Sequence, residues 1–389
     1  MEILRRNIRE FDFTLVGILL LLAVYSCVAL YAIGVPAHDN SWVKQCVYEV
    51  IGLIVMFAVA LYDYRSVRRF RWWLYGLTMV LLGAVFGFPP VYGAHSWINL
   101  KVISFQPSEL AKLALIIVMG NYMATQDEAE LPSNGIKHIV PLALMMAIPF
   151  ALVFIEPALG QALVMVAIFM TMFVMFTKRL YFSILTIILV GSILALAYVA
   201  VTYPTQVVYF IQHVLVKHHI LHGYQSQRIL TWLDPNYSVT HYGFNVHEAR
   251  IAIGSGQLFG QGLLGGIITN SGFVPNQTND FIFTAIGEEL GFVGSSILVF
   301  LYLVLVYRLV RIASTAQDSF GTYYVIGIIG MIAFQVFENI GMDMYMSPST
   351  GITLPFISYG GTSLLINYIA MGLVLSVALR RKSLRFSRP

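Results

Sequence analysis

Ten stretches of this chain are long and apolar enough to cross a bilayer, and nothing else constrains its fold as strongly. They occupy residues 13–33, 46–62, 72–88, 110–124, 139–155, 158–177, 180–203, 281–307, 323–341 and 364–379. A membrane helix needs about 20 apolar residues. The fourth run is short and is expected to extend back toward Pro107. The fifth contains Pro141 and Pro149, which a membrane helix tolerates where neighbours satisfy the freed carbonyls. The first run follows Arg5, Arg6 and Arg9. It is too long for the core of a cleaved signal and has no clear small-residue cleavage site, so it reads as a retained anchor. Composition agrees: 58% of residues are hydrophobic, 11% are charged, and the mean hydropathy is +0.77. A soluble domain carries about 25% charged residues. A cytosolic enzyme, a nucleic-acid binder and a disordered scaffold are excluded. The expected fold is an all-α polytopic membrane protein, one domain over residues 1–389. The two cysteines, Cys27 and Cys46, give no disulfide framework and no metal spacing.

Lysine and arginine set the orientation. With a cytoplasmic N-terminus and ten spans, all 23 basic residues fall on the cytoplasmic side except Lys44, Lys101, Lys112, Lys217, Arg228 and Arg250. Both termini are therefore expected in the cytoplasm. The net charge of +4 reflects this sorting, and no nucleic-acid partner is implied. A long loop, residues 204–280, then separates spans seven and eight on the outer side. Its aromatic, mixed composition argues against disorder. Its start, residues 207–216, reads as an amphipathic or re-entrant helix at the interface.

The few polar residues in apolar surroundings are functional candidates, because an ionisable group in the hydrocarbon costs at least about 2.5–3.5 kcal/mol. Glu109 and Lys112 lie three apart in Gln106-Pro107-Ser108-Glu109-Leu110-Ala111-Lys112 and share a helix face. They form either a structural ion pair or a cavity wall where Lys112 meets an anion. Asp280 opens the eighth span, either as its N-cap or as a reactive carboxylate at the outer surface. Glu288 follows about 12 Å deeper, at 1.5 Å per residue. Its neighbour Glu289 cannot share its face, so at most one of the two joins Asp280.

Glycines cluster at 254–266 and again at 351–361. The literal GxGxxG from Gly260 to Gly265 lacks a βαβ context and carries no dinucleotide reading. The second cluster, with Pro355 and Gly360-Gly361, reads as a broken segment at the outer end of the last span. The histidines His213, His218, His219 and His222 have no glutamate to complete a zinc motif and read as the polar face of the interfacial helix.

Taken together, Thr278-Asn279-Asp280-Phe281-Ile282-Phe283, Gly287-Glu288-Glu289-Leu290-Gly291, the 251–262 stretch, residues 106–112, Gln227-Arg228 and the 351–361 stretch resemble the SEDS family. These are the RodA/FtsW/SpoVE polymerases of shape, elongation, division and sporulation. The resemblance runs from the first helix to the last. Arg9-Glu10-Phe11-Asp12-Phe13 and the short tails are more similar to the RodA branch. The chain departs from the pattern at His95-Ser96, where an arginine usually precedes the tryptophan. It departs again at Ala158, usually an aspartate, and at His247-Glu248 and Thr278-Asn279.

The resemblance implies a peptidoglycan glycosyltransferase. It would polymerise lipid II into β-1,4 glycan at the outer face of the bacterial cytoplasmic membrane, for elongation and shape. Asp280 would be the catalytic base or the ligand of a divalent cation, Mg or Mn. Lys112, Glu109, Arg228, Gln227, Glu288 and Ser358 would contact substrate, with Arg250 a further outer cation. The leaving undecaprenyl pyrophosphate needs cations rather than a second acid. A class B penicillin-binding protein is the implied partner. The alternatives are a lipid II flippase using Glu109, Lys112 and Glu338, a division- or sporulation-specific polymerase, and a non-enzymatic scaffold for the transpeptidase.

Overall fold

The computed structural model describes residues 12–36, 38–89, 96–99, 104–129, 136–177, 198–199, 202–217, 223–233, 243–274 and 276–381. The chain is helical. Among the described residues, seven helices are long and apolar enough to span a membrane. They are α1 (Phe13–Gly34), α2 (Ser41–Leu61), α3 (Tyr64–Ala84, continued by a 3-10 turn to Gly87), α6 (Leu159–Phe176), α11 (Ile282–Thr315), α12 (Ser319–Asp343) and α13 (Gly361–Leu379). Two more apolar helices pack with them: α4 (Pro107–Glu128) and α5 (Ile136–Ile155), which contains Pro141 and Pro149. The expected extension of the fourth run to Pro107 is present, with that proline in the first helical turn, where its missing N–H costs nothing. Most of the run 180–203 lies outside the described residues, as do His218, His219 and His222. A two-stranded antiparallel hairpin, β1 (Ile98–Asn99) and β2 (Ser104–Phe105), precedes α4.

The long loop is folded. It holds α7 (Pro204–Phe210), which runs on as a π-helical turn to Val216, then α8 (Gly223–Leu233), α9 (Phe244–Ser255) and the single turn α10 (Ile267–Asn270). His213 stacks on Tyr209 at a centroid distance of 4.2 Å.

Small residues let the helices close on one another. Gly52 of α2 lies against the Tyr368 ring of α13, and Gly372 of α13 meets the Met56 carbonyl of α2. Side chains such as Trp73, Leu61 and Val80 face outward, where a bilayer replaces water. At one end of the bundle, ion pairs latch the helices together. Arg308 pairs with Asp12 at 2.8 Å, Arg65 with Asp318 at 2.9 Å, and Arg68 with Glu128 at 2.8 Å. Asp12 also accepts the Leu15 N–H and so caps α1.

At the other end two irregular segments meet the bundle. In α11, Gly291 breaks the helix with φ +64 and ψ −162. The loop after α9 satisfies the freed backbone groups. Gln261 and Gly262 donate to the carbonyls of Glu288 and Glu289, at 2.9 and 3.0 Å. Phe292 and Val293 donate back to the carbonyls of Gln257 and Leu258, at 2.8 and 3.0 Å. Unpaired backbone in an apolar setting costs several kcal/mol, so a broken membrane helix needs such a partner. Gly256 and Gly260 are required here, because a Cβ at either would overlap the carbonyl of Gly287 or Glu289.

The second segment, residues 344–360, is non-helical yet largely buried, as the Pro355 and glycine pattern predicts. The Ser358 hydroxyl accepts the Leu354 N–H at 2.8 Å and closes the turn at Pro355. Ser26 of α1 donates to the Ile357 carbonyl at 2.8 Å, and Gln45 of α2 donates to Ser26 at 3.1 Å.

Candidate active site

Asp280 sits in a turn just ahead of α11. The N–H groups of Asn279 and Asp280 both donate to the Asn276 carbonyl, at 3.0 and 3.1 Å. Asp280 does not cap α11. The N-cap position is Phe281, with no side-chain capping bond from that residue. The carboxylate serving the first turn comes from Asp343 of α12, which accepts the Thr284 N–H and hydroxyl at 3.1 and 3.2 Å. Asp280 is thereby released from a capping role.

Its carboxylate lines a cavity of about 140 Å³, shared with Arg228 and Trp232 of α8, Asn245 of α9, Asn276, Tyr345 and Ser349. Arg228 is held by a 2.8 Å bond from its guanidinium to the Ser349 carbonyl. Gly351 brings the two charges together. A Cβ on this residue would stand 3.2 Å from the Arg228 guanidinium and 3.3 Å from an Asp280 oxygen. Its φ of +73 is also left-handed, so glycine is favoured there on two counts. Packed atoms desolvate the Asp280 carboxyl and push its pKa up to about 6, against the lowering pull of the Arg228 charge. Arg250 lies over the Tyr345 ring at 5.1 Å, and the Tyr345 hydroxyl donates to the Thr231 carbonyl.

An apolar groove of about 670 Å³ runs along α11 from Phe283 to Leu303. Phe283, Phe292, Phe300 and Leu303 line it with Ile253 of α9 and Ile340 of α12. Its volume lies in the range of small-molecule sites. Phe283 is three residues from Asp280, and Met344 of the groove precedes Tyr345 of the cavity.

The other sequence candidates fall elsewhere. Lys112 and Glu109 are fully enclosed and paired at 3.0 Å, with Gln161 of α6 donating to the same Glu109 oxygen at 2.9 Å. Glu288 turns to the glycine loop, where it accepts the N–H groups of Ile268 and Thr269 at 2.9 and 2.8 Å and the Thr269 hydroxyl. Glu289 follows it there and accepts the Leu264 N–H at 3.4 Å. Both acids thus hold the loop that repairs the Gly291 break. Gln227 is half-buried beside Arg228 on α8. Ser358 is buried in its own turn. Among the described residues no three His, Cys, Asp or Glu side chains converge as a metal site requires.

Two residues that sequence reasoning passed over, Asn339 and Asp343, lie at the heart of this region. Their signal was available in principle: a carboxylate and an amide four apart at the polar end of an apolar helix.

Comparisons with known proteins match nearly the whole chain. The FtsW/RodA/SpoVE family model, described as "Cell cycle protein", matches residues 9–383. Peptidoglycan glycosyltransferase MrdB of Escherichia coli K12 is 31% identical over 96% of this chain and 95% of its own length. Probable peptidoglycan glycosyltransferase FtsW of Geobacter metallireducens is 33% identical over 97% of each. One chain of a solved peptidoglycan synthase complex, described as coordinating polymerization and crosslinking, superposes with a TM-score of 0.74. It is 28% identical, with 95% of this chain and 98% of that one covered. With nearly the whole chain matched, and Asp280, Arg228 and the glycine stretches placed together, this protein belongs to the FtsW/RodA/SpoVE family.

Proposed function

We propose that this chain is a peptidoglycan glycosyltransferase that polymerises lipid II at the outer face of the bacterial cytoplasmic membrane. The observation that carries the reading is that Asp280 and Arg228 line one cavity, with an apolar groove along α11 whose lining begins three residues on, at Phe283. A lipid-linked sugar needs an apolar channel for its tail, a base for the acceptor hydroxyl and a cation for the departing pyrophosphate. Asp280 is the base. With a pKa raised to about 6 it is ionised at neutral pH yet more basic than an ordinary carboxylate, which suits proton abstraction. Arg228 offers its guanidinium to a phosphate oxygen, and Arg250 supports it from the neighbouring helix. Attack on the α-linked donor inverts it to a β-1,4 linkage.

The described residues do not fit a resident Mg or Mn ion, since Asp280 is the one acid lining the cavity among them. A cation in this reaction would arrive with the substrate's pyrophosphate. Lys112 serves the scaffold of the site through its pair with Glu109, and that closed pair gives no support to a transport pathway.

The basic-residue bias supports ten spans with both termini in the cytoplasm and residues 204–280 outside. The likeness to a chain of a peptidoglycan synthase complex supports a class B penicillin-binding protein as partner. A role in elongation rests on the N-terminal Arg9–Phe13 pattern, since identity to MrdB and to FtsW is similar. The test is lipid II polymerisation by wild type and Asp280→Asn, each with and without the partner and a divalent cation. Wild type makes glycan and the variant does not. Full activity in a folded Asp280→Asn protein overturns the reading.

A further inference from the structure

Asp280 acts from a turn, and a turn alone does not hold a carboxylate to the tolerance that catalysis requires. Three residues fix this one from outside, through five hydrogen bonds. The Tyr359 N–H donates to the Thr278 carbonyl at 2.9 Å. The Asn339 side-chain amide donates one hydrogen to the Asp280 carbonyl at 2.6 Å and the other to the Ile352 carbonyl at 2.7 Å. Asp343 holds Thr284 through its N–H and hydroxyl. Asn339 and Asp343 lie four apart on α12 and so share one face.

The Asn339 bridge links the two halves of the site. Ile352 follows Gly351, the residue that abuts both the Arg228 guanidinium and the Asp280 carboxylate. One amide therefore ties the backbone of the base to the backbone that Arg228 faces. Two carbonyl acceptors fix the orientation of this amide, because its oxygen in their place would be repelled. Asn339 and Asp343 are both completely buried. One oxygen of each, Asn339 Oδ1 and Asp343 Oδ1, has no hydrogen-bond partner among the described residues. A buried polar group left part-satisfied costs stability. A leucine at either position would avoid that cost but could not make the clamp.

We propose that Asn339 and Asp343 are positioning residues for glycosyl transfer, a clamp from α12 that sets Asp280 against Arg228. This rests on the polymerase reading of the site. A misplacement of about 1 Å can cost on the order of a hundredfold in rate, while substrate binding along the apolar groove does not depend on the clamp.

The experiment uses the full chain in lipid nanodiscs with its partner, with lipid II as substrate. Asn339→Leu and Asp343→Leu are expected to lower kcat about tenfold or more with KM changed by less than about twofold. Asp343→Asn, which keeps an oxygen for Thr284, is expected to stay within about threefold of wild type. Wild-type kcat in both leucine variants overturns the proposal. So does an Asp343→Asn loss equal to that of Asp343→Leu, which would assign the effect to charge. If a leucine variant does not fold, Thr284→Val and Thr284→Ser decide. The serine keeps the hydroxyl bond and wild-type kcat, the valine loses at least about threefold, and equal rates for the two overturn the clamp.

Amide hydrogen exchange over residues 276–284 reads the clamp without activity. It accelerates in Asn339→Leu and not in Arg250→Gln, and unchanged exchange overturns the proposal. A wild-type protein that makes no glycan but shows the exchange difference sinks the polymerase reading and leaves the clamp standing.

Discussion

The two ends of the helix bundle use charge in opposite ways. At the end carrying Asp12, Asp63 and Asp318, carboxylates face arginines across helix termini: Arg308, Arg380 and Arg65. Most of these pairs are partly exposed, and such pairs contribute about 0–1 kcal/mol each. At the end carrying Asp280, Glu288, Glu289, Glu338 and Asp343 are buried and bonded to backbone N–H groups and hydroxyls. Glu109–Lys112 is the one fully buried ion pair among the described residues. One end is fastened by neutralising its charges. The other keeps its acids desolvated, and burial raises the Asp280 carboxyl even with Arg228 beside it, which is how a carboxylate becomes basic enough to take a proton.

The sharpest way to break this contrast is Asp280→Asn. Loss of the base should cost at least about a hundredfold in glycan synthesis, measured by chain-length analysis of lipid II products, with an unchanged elution profile. Next comes Gly351→Ala, which forces a left-handed residue and inserts a methyl between Arg228 and Asp280. Activity should fall by about tenfold or more while the protein still purifies as a folded species; retained activity would show that the cavity opens more than its geometry implies.

The third prediction concerns the buried pair. Lys112→Met leaves Glu109 uncompensated and should destabilise by about 3–5 kcal/mol. Glu109→Gln with Lys112→Met should recover most of that loss in thermal unfolding, and no recovery would mean the pair is not the unit that matters.

The pH profile sharpens the contrast further. Asp280 must be ionised to act as base, so kcat should fall as pH drops through about 6. For stability the sign is reversed. A carboxyl whose folded pKa is raised favours the folded state below its unfolded value, and that advantage is lost as pH rises through the folded pKa. Asp280→Asn should therefore raise Tm relative to wild type above about pH 6 and not below about pH 4. The smallest effect belongs to the other end: Arg65→Gln should shift stability by under about 1 kcal/mol, with the difference shrinking in high salt.

Much of this was legible in the residues. The apolar runs located the nine long described helices, because hydrocarbon admits little else than helices with internally satisfied backbone, although α3 begins eight residues before its run and α11 ends eight residues after its own. Pro355 and its glycines marked the broken segment, and Asp280 stood out as an acid at the mouth of a span. Glu288 was harder. Its eight-residue offset from Asp280 gave depth along α11, but not the neighbour it would meet, and the neighbour is the glycine loop. Asp280 as an N-cap was a sound local expectation, overruled by Asp343, 63 positions further along the chain by its numbering.

By itself, the sequence determined that this chain crosses a membrane repeatedly, since water cannot solvate its runs. It also located the acids that such a setting makes expensive. Only the tertiary structure decided which partners they met. Arg228 from the outer loop reaches Asp280 because Gly351, from a third segment, leaves room for both. Asn339 and Asp343 hold the Asp280 turn because α12 packs against the start of α11. Local propensity acts over a few residues, whereas these contacts join segments tens of residues apart, and only packing brings them within hydrogen-bond range.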